Sequence, residues 1–268
     1  MAKAAKGWTL DEVPWDTFDG AEVDPGLLAA VKAAALVEHN GLDYEAYLHK
    51  VFHDDPEFRD AASAWAGEEV RHGEALARWA AMADPGFDFA ASFRRFRAGY
   101  SLPLDVDGSV RGSRAGELVA RCVVECGTSS FYSALRDATR EPLLKDICGR
   151  LAADEFRHYK LFYTHLQRYL EREDVGPWRR LWVALERILE RDDDELSFAY
   201  YCGNDLAEPY DRRACARAYQ RRAFSAYRPG HVQRGLRMLL KAAGMAPRGL
   251  LGRVLGRLAW RYLAFHRA

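Results

Sequence analysis

The stretches WAGEEVRHGEAL (residues 65–76) and AADEFRHYKLF (residues 152–162) decide how this chain is read. Each sets a glutamate three residues before a histidine within an apolar segment: Glu69 and His72 in the first, Glu155 and His158 in the second. At that spacing the two side chains share one face of a helix. The rest of each face is apolar, with Ala62, Trp65, Leu76 and Trp79 on the first and Cys148, Leu151 and Phe162 on the second. Ionisable groups in the middle of a core-facing stripe need a physical explanation.

The flanking sequence delimits the helices. Asp24–Pro25 and Asp55–Pro56 each pair an N-cap with a proline at the first helical position. They start one long helix through residue 52 and a second to about Met82. A third runs from about Arg114 to Ala138, and a fourth from Pro142 to about Glu173. Residues 84–113 lack a sustained period and read as a long connection. Further helical pattern covers 179–225 and, less regularly, 230–267. Helix pairs joined by one long crossover have the connectivity of ferritin-like bundles. The expected fold is all-α: a ferritin-like four-helix bundle with one long crossover, additional helices and a basic helical C-terminal extension. The expected segments are 1–24 (N-terminal), 25–175 (bundle), 176–211 (additional helices) and 212–268 (extension).

Tracing the other two bundle helices by threes and fours gives Leu27, Val31, Ala34, Glu38 and Leu42 on one, and Leu118, Cys122, Glu125, Thr128 and Tyr132 on the other. Every bundle helix thus places a glutamate in its apolar face. Burying one unpaired carboxylate costs several kcal/mol, and four that repel one another cannot share a core unaided. Two divalent cations would balance four glutamates, and two imidazoles would complete the set. One Glu from each of two helices plus a Glu-x-x-His from each of the others is the ligand set of carboxylate-bridged di-iron bundles. Glu38 to Glu69 spans 31 residues and Glu125 to Glu155 spans 30, so the chain reads as two copies of one helical hairpin. The competing reading makes the glutamates solvated and the two histidines ordinary core residues. Glu45, seven residues after Glu38, competes with it for the first ligand position. His39, His49, His53, His165, His231 and His266 are read as structural.

Composition narrows the class. Hydrophobic content is 49% and aromatic content 12%, enough for a sizeable core. No apolar run reaches the ~20 residues that span a bilayer. The N-terminal stretch has no apolar signal region, and five cysteines without framework spacing fit a reducing compartment. Cytoplasmic placement, with peripheral membrane association, is expected. Cys122 and Cys126 are read as packing residues.

The segments EEVRHG (68–73) and ICGRLAADEFRHYKLF (147–162) resemble the metal-binding helices of the soluble acyl-carrier-protein desaturases, as do Trp65 and Thr128 in their spacing from the ligands. The resemblance covers roughly residues 25–172 and finds no counterpart beyond about 175. It implies two iron ions, for which manganese would also serve, held by Glu38, Glu69, His72, Glu125, Glu155 and His158. It implies that Glu125 and Glu69 alternate between bridging and terminal binding. It places Glu68 and Asp154 behind the histidines, with Arg71 and Arg157 holding those acids or forming plain surface pairs. It makes Thr128 the catalytic candidate beside the metals, against an ordinary bond to the preceding turn. Trp65, Tyr132 and Phe162 are expected to line the substrate pocket. The implied function is a di-iron oxidase, desaturase- or hydroxylase-like, acting with O2 on an apolar, acyl-type substrate. Acyl carrier protein as substrate carrier, a ferredoxin-type electron donor and a homodimer are the expected partners. The alternatives are a ferritin- or rubrerythrin-like protein that handles iron or scavenges peroxide, and a metal-bearing interaction protein.

The net charge of zero conceals an asymmetry. Residues 1–211 carry 25 Lys+Arg against 39 Asp+Glu, whereas 212–268 carry 14 Lys+Arg and no acid. Arg253, Arg257 and Arg261 share one stripe of a segment that also holds Trp260 and Tyr262. Three readings stay open: an anionic membrane surface, an acidic partner protein, or packing against the acidic body of the same chain. Nucleic acid is not expected, because no reading motif accompanies the charge. Under either of the first two readings, reversing the three charges weakens binding to anionic vesicles or acidic carrier protein, and salt weakens it steeply. Normal binding by that variant, measured by vesicle co-sedimentation and carrier-protein pull-down, would eliminate both.

Overall fold

The structure, a computed structural model, describes residues 7–106, 108–189, 194–206 and 208–266. Residues 1–6 of the expected N-terminal segment and 190–193, 207 and 267–268 of the expected C-terminal helical regions lie outside the described residues. Those described are helical, with no strand among them.

Helix α1 (Pro25–His39) opens on Asp24, whose Oδ1 accepts from Leu27 N at 2.8 Å. The single helix expected through residue 52 is two helices, because the chain turns at Asn40 before α2 (Gly41–Val51). There the Asn40 N–H folds back onto the Val37 carbonyl at 3.1 Å. Close packing explains the break: a Cβ on Gly41 would lie 2.7 Å from the Glu69 Cβ. One consequence is that Leu42, expected on the α1 stripe, is 57% exposed.

Helix α3 (Pro56–Ala83) starts at Asp55, and a long crossover leads from it to α5 (Arg114–Ala138). The crossover contains α4 (Phe89–Gly99), where no helix was expected. Asp88 caps it through Ala91 N at 2.9 Å, and Phe89, Phe93 and Phe96 form a helical aromatic stripe with Phe96 fully buried. The intervening Ser, Arg and Gly residues mask that period in the sequence.

Helix α6 (Pro142–Leu170) follows α5 after three residues, so the two pack antiparallel. Its cap, Glu141, is fully buried and accepts from Leu144 N at 2.6 Å, from the Trp79 indole at 2.7 Å and from Asp19 N at 3.0 Å. Asp55 ties the start of α3 to the end of α6 through Tyr169 at 2.7 Å and Arg168. Then come α7 (Pro177–Leu189), α8 (Asp194–Gly203), α9 (Arg212–Ser225), α10 (Pro229–Ala242) and α11 (Leu250–His266).

Two large apolar clusters fill the interior beside a smaller one, which joins Leu36 of α1 and Phe96 of α4 to Tyr200 of α8. The first large cluster gathers Phe52, Phe58, Leu118 and Phe162 with Val183 of α7 and Leu240 of α10. The second gathers Val31, Leu76, Trp79, Leu135 and Ile147 with Ala223 of α9. In sequence, the clustered glutamates and histidines of α3, α5 and α6 fall where each helix passes from one of these large clusters to the other, whereas α1 joins only the second of the two and carries Glu38 in its last turn. The basic C-terminal residues divide as well. Helices α9 and α10 contribute to the core, whereas α11 packs on them and leaves Arg253, Arg257 and Arg261 exposed, with Val254, Leu258 and Phe265.

Gly73 sets how closely α1 approaches α3: a Cβ there would stand 2.6 Å from both the N and the Cβ of His39. Gly73→Ala should therefore push α1 off α3 and lower stability by about 1–3 kcal/mol. The check is chemical denaturation of the variant. A wild-type unfolding midpoint would contradict that contact.

Candidate metal centre

The four glutamates and two histidines of the two hairpins come together in the interior. Glu38 (α1), Glu69 and His72 (α3), Glu125 (α5), and Glu155 and His158 (α6) are each at most 7% exposed. Their ligand atoms form two overlapping sets, Glu38–Glu69–His72–Glu155 and Glu69–Glu125–Glu155–His158, with the atoms of each set within 4.8 Å of one another. The residues common to both are Glu69 and Glu155. Glu38 and His72 belong to the first set only, and Glu125 and His158 to the second only. Glu45 is elsewhere, accepting from Ser63 beside His49, so it does not replace Glu38.

The imidazoles are aimed by acids on the facing helix. His72 Nε2 lies 3.1 Å from Asp154 Oδ2, and His158 Nε2 lies 2.8 Å from Glu68 Oε2. An acid at Nε2 holds the proton there and leaves the Nδ1 lone pair pointing inward. His72 Nδ1 is then 3.1 Å from Glu155 Oε1, and His158 Nδ1 is 2.9 Å from Glu69 Oε1. Arg157 spans both acids, at 2.5 Å from Asp154 and 3.2 Å from Glu68. Arg71 comes no nearer than 3.8 Å to Glu68 and lies over the Trp8 ring. Trp8 itself was not foreseen as part of the centre: its indole N–H donates to Asp154 at 2.8 Å and its ring stacks on His72. It reaches the centre from an irregular segment, so no local pattern marks it.

The donor set fits a cation. Glu38 Oε2, Glu69 Oε1, His72 Nδ1, both Glu125 oxygens, Glu155 Oε1 and His158 Nδ1 are buried without a hydrogen-bond partner. Such atoms are expensive to leave unmatched in a core. Carboxylate and imidazole donors suit iron or manganese, and these residues could hold a metal ion. Without one, the cluster holds protons instead. Burial, then the charges of Glu155 and Glu38, push the Glu69 carboxyl well above the carboxylate range. Burial chiefly carries Glu125 up to about 8. Burial opposes the imidazolium of His72 and of His158, but the hydrogen bonds that each donates to the surrounding carboxylates raise both. Burial also acts against the Glu155 anion, yet the two histidines hold that carboxyl below its usual range.

A cavity of about 350 Å³ opens onto the centre. Trp65 and Tyr132 line it, as expected. Phe162 does not: it is fully buried behind Trp65, ring edge to face at 5.4 Å. The Tyr132 hydroxyl donates to Glu38. Thr128 is in the wall and makes its shortest contact, 2.6 Å, to Glu155 Oε2, with the carbonyls of Glu125 and Val124 at 3.2 and 3.3 Å. The far wall comes from α7, α8, α9 and the turn after α9, through Ile188, Leu196, Tyr219, Phe224 and Tyr227. These lie beyond residue 175, where no matching sequence marked a pocket. Phe224 in the last turn of α9 and Tyr227 just beyond it are the apolar signal that charge composition obscured.

No protein-family model matches the chain, and no curated protein matches it as a relative.

Because a metal must displace the protons of Glu69, Glu125, His72 and His158, affinity should rise with pH. The sign follows from the raised carboxyl of Glu125: below about 8 it holds a proton that the cation must expel. Manganous-ion titration calorimetry in buffers of different ionisation heat should show proton release and an affinity that falls from about pH 8 to about pH 6. A flat profile would contradict binding at this cluster.

Proposed function

We propose that the chain is a ferritin-like di-iron carboxylate protein, related to the soluble acyl-carrier-protein desaturases, and that it oxidises an apolar substrate with O2. One observation carries this reading: Glu38, Glu69, Glu125 and Glu155, whose buried oxygens lack partners, line the same cavity that Trp65, Phe131, Leu196 and Phe224 make apolar. When bound, two iron ions would supply the reductive activation of dioxygen. Everything else is the task of the chain. Glu69 and Glu155, common to both sets, together with Glu38 and His72 on one side and Glu125 and His158 on the other, would hold the metals. Asp154 and Glu68 keep the proton on each Nε2. The Thr128 hydroxyl, held by Glu155, can pass a proton at the cavity wall. The apolar walls exclude water from the reacting groups.

O2 reduction also requires an external electron donor, and a ferredoxin-type protein would serve. A store or detoxifier of iron would have no use for an organic-sized cavity beside the metals, which is why oxidation of an apolar substrate is favoured.

Anaerobic loading with ferrous iron tests the reading. About two ions per chain are expected, followed by O2 uptake that an apolar acyl substrate accelerates, with a desaturated or oxygenated product seen by mass spectrometry. Progressive accumulation of ferric mineral would assign the chain to storage. Negligible iron would leave an interaction protein.

A further inference from the structure

We infer that the cavity binds a small free carboxylic acid with an apolar body, its carboxylate on Arg121, rather than an acyl chain presented on a carrier. This rests on the reading above for where the substrate lies, and it names the substrate class. The lining of α5 runs from Arg121 to Tyr132, eleven residues or about 16 Å at the helical rise. Glu125 and Thr128 stand between those ends. Beyond them the wall is aromatic, with Phe131, Tyr132 and Phe224. At the other end Arg121 and Arg187 stand in the wall with one acid, Glu195.

Arg121 is only 6% exposed, yet its guanidinium has an unmet donor. The nearest acid, Glu117, lies 3.6 Å from Arg121 Nε, and Nε has no hydrogen-bond acceptor. Glu117 is already engaged, accepting from Tyr47 at 2.9 Å and Ser109 at 2.8 Å. The guanidinium is held over the Tyr44 ring at 4.9 Å, and the Tyr44 hydroxyl donates to Glu195 in the same wall. A desolvated guanidinium whose Nε lacks an acceptor suits a carboxylate, whose oxygens accept charge-assisted N–H bonds. A carrier-bound chain has no carboxylate to offer there. A ligand with its head at Arg121 would pass its apolar body by Glu125 and Thr128 toward the aromatic end. The volume, about 350 Å³, is at the small end of ligand pockets.

Decanoate and decanamide are suitable probes, measured by titration calorimetry on the manganese-loaded protein, with metal content determined in each sample. Decanoate should bind about tenfold or more tightly than decanamide. Arg121→Gln should erase that preference, and Arg121→Lys should keep only part of it. Gly127 lies in the wall with open space where a Cβ would stand, so Gly127→Leu should block both probes while metal content stays unchanged. Equal affinity for the two probes in the wild type, no binding of either, or a preference that survives Arg121→Gln would overturn the inference. If an arginine variant does not fold, the wild-type comparison and Gly127→Leu still decide. Loss of metal with retained decanoate preference would sink the oxidase reading alone, and metal without preference would sink this one alone.

Discussion

Mutual repulsion among four glutamates in one apolar interior is the constraint on which the rest of this structure depends. Each carboxylate loses its hydration on burial, and the low dielectric magnifies the repulsion between them. Protons held by Glu69 and Glu125, which burial favours, and by His72 and His158, which the acids favour, relieve part of that cost in the metal-free chain. They leave seven inward-facing donor atoms unmatched. Arginines do not supply the relief. The nearest, Arg157, contacts Asp154 and Glu68 behind the histidines and so aims the ligands without neutralising them.

The fold is arranged around that polar layer. Two apolar clusters lie on either side of it along α3, α5 and α6, so each of these helices is anchored by packing at both ends, and α1 brings Glu38 in from its C-terminal turn. Close helix approach at Gly41 and Gly73 brings α1 and α2 against the turn of α3 that carries Glu69 and His72. Caps with long reach, Asp55 and Glu141, fix α3 against α6. This rigidity matters because donors held in place by packing and outer hydrogen bonds lose little freedom when they bind a cation. The cavity follows from the same arrangement: α7, α8 and α9 close the open side of the centre without filling it.

Much of this was legible in the residues. Asp–Pro pairs marked two helix starts because they satisfy orphan backbone donors in a way few other dipeptides do. The doubled Glu-x-x-His, each about 30 residues after a core-facing glutamate, located the six clustered residues because helical periodicity fixes which side chains share a face. Three things were hidden for physical reasons. The break at Asn40 depends on how near α3 lies to Gly41, a tertiary contact. Trp8 approaches from an irregular segment whose path no period encodes. The cavity wall from α9 sits in a segment whose basic composition drew the eye to its surface, although Tyr219, Phe224 and Tyr227 face inward. Phe162 erred in the opposite sense, since sharing the ligand face of α6 places it one layer too deep to touch the cavity.

Crystals grown with ferrous or manganous ion, with anomalous scattering recorded at the metal edge, test the central claim most directly. Two peaks lying between Glu69 and Glu155, one toward Glu38 and His72 and the other toward Glu125 and His158, are the predicted result. Absence of both peaks at full metal exposure, with the six side chains turned to water or bound to one another, would contradict it.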